Sequence, residues 1–410
     1  MSRTRSDHAQ ASEVAVPLLP TGRTCPFDPP PRYRTLRDEG PITRLRLPDG
    51  ALGWLVTSFA EARKVLADNR FGTTLIQVAP GQDRTFNADE LVVPPGNFAA
   101  LDPPAHTGYR KLVTGPFTAN RVNRMVPWLT KMAERQLDRM MCGGGPADLV
   151  TDFAQPLSSL VICELVGVPD EHRAAVRRHS VDALSPREGP ESQAEAFGLL
   201  EEDLRDVVRA ARAGRADGVL GDLVRADPPL TDEELITISA LLMVTAHETT
   251  SNMIALGMFA LFQHPEQLAA LRAGPDLPVA AVDELLRFLT IVQFGLTRIA
   301  LEDVRLGDTV VRAGERVIVA AAAANRDPAA FADPDLLDVR RSRSPHLAFG
   351  FGVHQCIGAH LARSELRIGL AVLLRLPNLR LAVPPESIVM RDTSVIYGVR
   401  SLPVTWDRHG

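Results

Sequence analysis

A single cysteine in a glycine-rich loop is the residue of this sequence best suited to chemistry. Residues 349–358 read Phe-Gly-Phe-Gly-Val-His-Gln-Cys-Ile-Gly, with the cysteine at position 356. Gly350 and Gly352 permit backbone angles that a side chain forbids, and Gly358 lets the following helix approach a flat ligand. A helix that begins just after Cys356 directs its free N–H groups at the sulfur, and such donors stabilise a thiolate. A buried free cysteine in a turn is the ordinary alternative, but this glycine spacing favours a thiolate presented from a fixed loop.

The loop resembles the cysteine-ligand segment of the cytochrome P-450 family, whose pattern is Phe-Gly-x-Gly-x-(His or Arg)-x-Cys-x-Gly. The chain meets every fixed position of that pattern, with Phe349, Gly350, Gly352, His354, Cys356 and Gly358. The resemblance implies haem b as cofactor, with the Cys356 thiolate as the axial ligand of its iron and with Phe349, Gly350 and Gly358 beside the macrocycle. It also implies a mainly α-helical fold with a smaller β-rich lobe, shaped as a triangular prism with a long central helix over the haem.

Composition and length limit the class of protein. The 410 residues suffice for one large helical unit with a small strand-rich lobe, and no low-complexity linker divides them, so we expect a single unit over residues 1–410. The net charge of −5 argues against a nucleic-acid-binding surface. The four cysteines show no CxxC spacing that would indicate zinc or a disulfide framework. Since neither a signal peptide nor an apolar run of about 18 residues is present, we expect a monomeric cytoplasmic protein without membrane contact.

Turn and periodicity signals outline the β-rich lobe. Prolines are frequent before residue 32, which predicts an extended N-terminal arm over residues 1–32, lying on the surface. Residues 42–47 and 52–57 alternate between apolar and polar types and predict a hairpin. We expect the lobe to combine strands near 40–60 with others in the 290–320 and C-terminal regions.

The longest helix predicted from the sequence begins at Thr231. The run Thr-Asp-Glu-Glu forms a capping box there, and Pro265 should end the helix at His264. The helix would then have about 33 residues and a length of roughly 50 Å. It is apolar almost all round, which indicates a central buried element. A polar island at residues 245–252 interrupts the apolar surface, and burying it is costly without partners or a function.

The polar island resembles the oxygen-activating motif of the family, usually Ala-Gly-x-(Glu or Asp)-Thr. Glu248 and Thr249 occupy the acid and alcohol positions, which implies catalytic roles for both. Cleavage of O₂ requires two protons, and a hydroxyl with a carboxylate behind it can position water and relay them. A threonine that bonds back to the preceding turn is the structural alternative. Thr245 and Ala246 replace the usual alanine and glycine, so Ala246 should narrow the groove beside the haem, while His247 is interpreted as a variable position.

Glu284 and Arg287 lie three residues apart on one predicted helix face. A surface ion pair is the ordinary explanation and would contribute little to stability. Their position between the central helix and the cysteine loop resembles the family's Glu-x-x-Arg motif, which pairs with an arginine from the segment before the cysteine. The resemblance implies that Arg341 is this third member, with Arg340 as the alternative, and that the cluster braces the haem pocket.

Haem propionates require basic partners, and the resemblance supplies four candidates. His106 and Arg110, in the segment 102–110, have the i, i+4 spacing that places both on one helix face. Arg298 and His346 match two further family positions. Each residue taken singly is also compatible with a solvated charge.

The resemblance extends from about residue 25 to residue 406 and is nearest to bacterial members that modify natural products in actinomycetes. Such enzymes receive electrons from NAD(P)H through a ferredoxin and a ferredoxin reductase. The expected docking face for the ferredoxin is the cysteine side of the molecule, where basic side chains would meet an acidic partner. These side chains are Lys111, Arg343, Arg363 and Arg367.

We therefore expect a monooxygenase that inserts one atom of O₂ into a C–H bond, or across a C=C bond, of a large apolar natural product. A macrolide or other polyketide of antibiotic biosynthesis is the leading substrate class, and a steroid or other lipophilic small molecule is the alternative. A peroxygenase driven by hydrogen peroxide is a second possibility, although family members dedicated to peroxide generally lack a pair such as Glu248 and Thr249. A non-enzymatic haem sensor is the third.

Substrate-lining residues are expected in apolar segments around the haem. The positions selected are Phe98, Leu242, Val292, Phe294 and Ile396. The loop after Phe71 carries acidic residues, one of which would pair with the ammonium group of an amino sugar, although solvated loop charges are the ordinary alternative. These acidic residues are Asp83, Asp89 and Glu90.

Overall fold

The computed structural model describes residues 16–47, 50–73, 93–183, 190–274 and 276–407. The acidic loop residues Asp83, Asp89 and Glu90 lie outside this set. The α-helices, numbered along the chain, are α1 (Arg32–Glu39), α2 (Phe59–Ala67), α3 (Ala105–Thr114), α4 (Ala119–Cys142), α5 (Gln155–Val166), α6 (Asp170–Ala183), α7 (Pro190–Arg212), α8 (Gly218–Leu223), α9 (Asp232–Gln263), α10 (Pro265–Arg272), α11 (Val279–Leu289), α12 (Ala321–Ala324) and α13 (Ala359–Leu374).

Short strands form the smaller β-rich part of the fold. They are β1 (Ile42–Arg46), β2 (Leu52–Val56), β3 (Phe71–Gly72), β4 (Ala147–Asp148), β5 (Leu296–Ala300), β6 (Val304–Leu306), β7 (Thr309–Val311), β8 (Arg316–Val319), β9 (Arg380–Leu381) and β10 (Pro403–Thr405). Within the described residues, five strands form one sheet in the order β1-β2-β8-β5-β3, and β10 lies between β4 and β9 in another. The fold is therefore mainly α-helical with a smaller β-rich region, as the sequence predicts.

The five-stranded sheet joins two distant parts of the chain. The predicted hairpin is present, with β1 antiparallel to β2 and Ile42 opposite Val56. β2 then pairs in parallel with β8, where Trp54 lies opposite Val317, and β8 pairs antiparallel with β5. The regions near 40–60 and 290–320 thus form one lobe. Parallel pairing requires a long crossover connection, and here most of the helical part of the chain lies between the two strands.

Helix α9 is the central element of the helical part. Thr231 caps its first turn, where its hydroxyl accepts the Glu234 N–H at 3.2 Å and its own N–H donates to the Glu234 carboxylate at 2.7 Å. The helix ends at Gln263 with His264 as its C-cap, and Pro265 begins the next helix. Residues 251–261 are all buried, so the expected long buried helix is confirmed. Among the described residues, none of the helices has the length and apolar character needed to span a bilayer.

The described part of the N-terminal arm is more firmly anchored than an arm lying on the surface. Leu18 is exposed and pairs as an isolated bridge with Arg46. Phe27, in contrast, is buried in the main core, with its ring 4.9 Å from that of Phe259 in an edge-to-face contact. The expectation of a surface arm is therefore wrong at Phe27. A large apolar side chain has a lower free energy when buried in the core than when exposed to water.

Candidate functional site

The cysteine loop adopts the left-handed backbone conformation that its glycines permit. Gly350 and Gly352 have φ angles of 68° and 76°, in the left-handed region. A Cβ atom on Gly352 would lie 2.1 Å from the carbonyl oxygen of Leu66 in α2, so glycine is required for close approach as well as for conformation. The Cys356 N–H donates to the Phe349 carbonyl oxygen at 2.9 Å, which closes the loop before α13 begins at Ala359. The loop therefore presents the Cys356 side chain in a fixed position.

A cavity of about 380 Å³ lies between this loop and α9. This volume is within the usual range for cofactor and ligand sites. Cys356, Phe349, Gly350 and Gly358 line it from the loop, and α9 contributes its own set of lining residues. These residues of α9 are Leu242, Thr245, Ala246, Thr249, Thr250 and Met253.

Several charged and polar groups act on the Cys356 thiol. Burial raises its pKa, while the Gly358 N–H and the guanidinium groups of Arg110 and Arg363 act in the opposite direction. The net direction is upward. The thiolate is the form of cysteine that binds metal ions.

Basic side chains gather at one edge of the cavity. Arg298 and His354 line it, and burial lowers the pKa of Arg298. The His106 ring lies 4.3 Å from the His354 ring, and Arg110 donates to the Gln355 carbonyl oxygen. Burial, with smaller contributions from His354 and Arg110, lowers the pKa of His106 to about 4.

The His106 side chain in this cluster lacks hydrogen-bond partners among the described residues. Within the described part of the chain, both ring nitrogens of His106 are buried without a hydrogen-bond partner. Buried polar atoms of this kind need partners, and carboxylates that enter the cavity at this edge would provide them. The cluster therefore fits the two propionates of haem, as the thiol and the apolar walls fit its iron and its ring.

His346 is not part of this cluster, which corrects the expectation that it binds a propionate. Its Nε2 lies 3.3 Å from a carboxylate oxygen of Asp283, and its Nδ1 accepts the Ala348 N–H at 3.2 Å. Asp283 also binds Arg343 and Arg363, each at 2.6 Å. Burial alone would raise the pKa of Asp283, but the bonds from His346 and Arg363 hold it well below its usual range. His354, two residues before the cysteine, is the histidine that reaches the cavity.

The predicted acid and alcohol of α9 face different surroundings. Thr249 lines the cavity, and its hydroxyl donates to the Thr245 carbonyl oxygen at 2.9 Å. The oxygen of that hydroxyl keeps its capacity to accept a hydrogen bond from the cavity. The Glu248 carboxylate forms an ion pair with Arg391. Burial raises the pKa of Glu248, and Arg391 opposes that effect.

Glu284 and Arg287 form a buried ion pair rather than a surface one. Arg287 Nε and Nη2 donate to the two oxygens of Glu284 at 2.7 and 2.8 Å, and both side chains are almost completely buried. The remaining N–H groups of Arg287 bind three backbone carbonyl groups. Arg341 Nε lies 3.1 Å from Glu284, close enough for an ion pair although not aligned as a hydrogen bond. The third member is therefore Arg341, and not the alternative Arg340.

The predicted substrate-lining residues divide into two groups. Leu242 and Val292 line the cavity. Phe98 is buried beside it, next to the lining residue Ala99. Phe294 packs instead against a separate apolar cluster, and Ile396 pairs with Val292 as an isolated bridge, so neither of these side chains is part of the described wall. An apolar pattern indicates burial, but it does not indicate which face of a segment meets the cavity.

Two polar residues of the cavity wall were not selected from the sequence, Ser158 on α5 and Glu365 on α13. Burial raises the pKa of Glu365 to about 7, against the influence of the Ser158 hydroxyl. The only signal in the sequence is a carboxylate on the buried face of an amphipathic helix. His354 had a clearer signal, since it occupies the basic position of the cysteine-loop pattern.

The thiol loop, the basic edge and the long helix together define a haem-thiolate protein, and comparisons with known proteins agree. The family model "Cytochrome P450" matches residues 275–403. Cytochrome P450 105C1 of a Streptomyces species is 43% identical over 96% of this chain and 100% of its own length. Pentalenic acid synthase of Streptomyces avermitilis is 41% identical, with 96% and 99% covered. The crystal structure of CYP105P1 in complex with filipin I superposes with a TM-score of 0.89 at 39% identity, over 96% of this chain and 100% of that chain.

The chain belongs to the cytochrome P450 family and is a monooxygenase of that family. The family implies haem iron with a cysteine thiolate ligand and O₂ as co-substrate.

Proposed function

We propose that the protein, acting as a single catalytic unit, oxidises a large apolar natural product of the macrolide or polyketide class. The leading reaction is hydroxylation of a C–H bond, and epoxidation of a C=C bond is the variant. The observation that carries the proposal is the cavity, which is lined by Cys356 together with many apolar side chains. The relatives support a natural product as substrate: one is named for pentalenic acid, and one was crystallised with filipin I.

The apolar walls provide the driving force for substrate binding. Ile162, Leu242, Met253, Ile291, Val292 and Leu296 come from four different parts of the chain and line one cavity. Burial of apolar ligand surface against such walls contributes roughly 25 cal/mol per Å². The walls supply few directional bonds, so they would select by shape and size more than by hydrogen bonding.

The residues at the edges of the cavity are proposed to hold the cofactor. Cys356 would ligate the iron, while Arg298, His354, His106 and Arg110 would bind the propionates. Bound haem supplies the activation of O₂ and the insertion of one of its atoms into the substrate. The Glu284, Arg287 and Arg341 cluster would brace the segment that precedes the cysteine loop.

Protons would enter from the α9 side of the cavity. The Thr249 hydroxyl would accept a hydrogen bond from a water molecule in the cavity and fix its position. Glu248 would exchange protons with water on the far side of that hydroxyl, because Glu248 is next to Thr249 on the same turn of α9 and is only partly buried. A carboxylic acid whose pKa is raised above its ordinary value is better suited to give and take protons.

Electrons are proposed to come from NAD(P)H through a ferredoxin and its reductase. Four basic residues were expected to form the docking face, and two of them, Arg343 and Arg363, bind Asp283. Lys111 is exposed and Arg367 is half-buried on α13, so these two are the better candidates for contact with an acidic partner. Lys111→Glu should weaken ferredoxin binding. Turnover should then require a higher ferredoxin concentration, while haem content stays unchanged.

A substrate panel tests the proposal. The ferric holoenzyme is titrated with macrolides with and without amino sugars, other polyketides, a steroid and a fatty acid, and the shift of its Soret band reports binding. Binding compounds are then incubated with NADPH, ferredoxin and reductase, and product gain of one oxygen atom is measured by mass spectrometry. Response to the steroid or fatty acid alone would overturn the substrate class. Turnover with hydrogen peroxide but none with the electron donors would overturn the reaction type.

A further inference from the structure

A hairpin near the C-terminus touches both the cavity wall and the acid of α9. We define the C-terminal hairpin as residues 390–399, which Met390 and Val399 close as an isolated bridge. The Arg391 N–H donates to the Gly398 carbonyl oxygen at 2.8 Å, so the two sides of the hairpin are joined beside this bridge. Any displacement of one side is therefore transmitted to the other.

The tip of the C-terminal hairpin binds the segment that lines the cavity. Ile396 pairs with Val292, and the Tyr397 N–H donates to the Ile291 carbonyl oxygen at 2.8 Å. Gln293 donates its side-chain amide to the carbonyl oxygens of Asp392 and Ser394 at 2.6 and 2.9 Å. Since the side chains of Ile291 and Val292 line the cavity, a ligand that displaces them acts on the hairpin.

The base of the C-terminal hairpin packs closely against α9. A Cβ atom on Gly398 would lie 2.0 Å from the side-chain oxygen of Asn252, which shows how near the hairpin backbone comes to the helix. Asn252 donates in turn to the backbone carbonyl oxygen of Glu248 at 2.8 Å. In the described part of the chain, Arg391 is the charged group within ion-pair distance of the Glu248 carboxylate, and the two side chains are 15% and 13% exposed.

We propose that Arg391 is a positioning residue that holds the Glu248 carboxylate away from the cavity, and that the C-terminal hairpin makes its release depend on a ligand in the cavity. The proposal rests on the proton relay of the proposed function. When Arg391 moves away, the Glu248 carboxylate takes a proton from water on its outer side. It then gives a proton to the water held by Thr249 and returns to the carboxylate form, so that one proton enters the cavity for each cycle. The hairpin thus limits proton entry when no substrate is bound.

The test measures the protonation of Glu248 directly in the ferric holoenzyme. Infrared spectra are recorded across pH with and without 4-phenylimidazole, an azole that binds haem iron and serves as the cavity probe. Glu248→Gln assigns the carboxyl band. We expect the probe to raise the pH midpoint of that band in the unsubstituted protein by about half a pKa unit or more, which is roughly a threefold change in equilibrium.

Variants of Arg391 separate positioning from simple packing. Arg391→Gln should raise the pH midpoint of Glu248 and abolish the response to the probe, while Arg391→Lys should restore the response in part. Arg375→Gln, which removes the exposed ion pair of Arg375 with Glu134, is the matched control and should behave like the unsubstituted protein. A probe response that persists in Arg391→Gln, or an unchanged midpoint in that variant, would overturn the proposal. Failure of the relay itself would appear separately, as an unchanged rate of turnover in Glu248→Gln.

Discussion

The carboxylates of Glu284, which is buried, and Glu248, which is partly buried, are both paired with arginine, yet their surroundings differ. Glu284 accepts two bonds from Arg287, a further bond from the Asp338 N–H at 3.0 Å and an ion pair from Arg341. Glu248 has one described ion-pair partner, Arg391, which lies 143 residues further along the chain. A carboxylate that accepts three hydrogen bonds and a further ion pair is fixed, whereas one with a single charged partner can exchange it. The first arrangement suits a brace and the second suits a group that moves protons.

Replacing Cys356 with serine has the largest expected effect, because it removes the proposed iron ligand itself. The brace of Glu284, Arg287 and Arg341 only supports the segment that precedes this ligand. An alcohol oxygen donates much less electron density to iron than a thiolate does. The reduced protein with carbon monoxide should lose the red-shifted Soret band of thiolate ligation, and turnover should be abolished. Survival of that band would show that Cys356 is not the ligand.

Arg287→Ala tests the brace itself. Removing the guanidinium leaves Glu284 as a buried charge without its main partner, which costs about 3–5 kcal/mol. We expect a lower melting temperature and poor haem incorporation, measured by thermal unfolding and by haem content per chain. Arg375→Ala is the control, because its exposed pair with Glu134 should contribute only about 0–1 kcal/mol. Equal effects of the two variants would contradict the description of Glu284 as a brace.

The two carboxylates also differ in how far the sequence predicts them. Glu284 and Arg287 lie three residues apart on one helix, so local spacing indicates their contact. The contact of Glu248 with Arg391 depends on tertiary packing of a C-terminal hairpin, and no local pattern encodes it. The same reason explains His346 and His354: both precede the cysteine closely in sequence, and only the folded loop shows that Asp283 binds the first and the cavity meets the second. The helices, by contrast, follow from periodicity and capping, as Thr231 and Pro265 show for α9.

Glu365 extends the comparison to a buried carboxylate for which the described residues provide no ion pair. Burial raises its pKa from 4.5 to about 7. Between these values the folded protein retains a proton that the unfolded chain has lost, so stability falls as pH rises through this window and the penalty is complete above it. Glu365→Gln should remove up to about 3 kcal/mol of this pH dependence.

Thermal unfolding of the holoenzyme at pH 5 and pH 8 measures this effect. The loss of melting temperature between the two pH values should be smaller in Glu365→Gln than in the unsubstituted protein. Glu134→Gln, on an exposed pair, provides the control. An identical pH dependence in all three proteins would show that Glu365 has an ordinary pKa and a partner.

Thr249→Ala has the smallest expected effect on the protein and acts on coupling alone. Both Thr249 and Thr245 line the cavity, and both donate to the carbonyl oxygen four residues earlier, at 2.9 and 2.7 Å. Hydroxyls that serve only the helix would therefore give the same result when either is removed. If Thr249 instead holds the water that receives protons from Glu248, only Thr249→Ala should divert oxygen to peroxide, by several-fold at an unchanged rate of NADPH oxidation. The measurement is the ratio of peroxide to NADPH consumed, with the best-binding compound of the substrate panel. An equal rise in the peroxide ratio in Thr245→Ala, or no rise in either variant, would contradict a proton route from Glu248 through Thr249. The contrast between Glu284 as a brace and Glu248 as a proton carrier would then lose its second part.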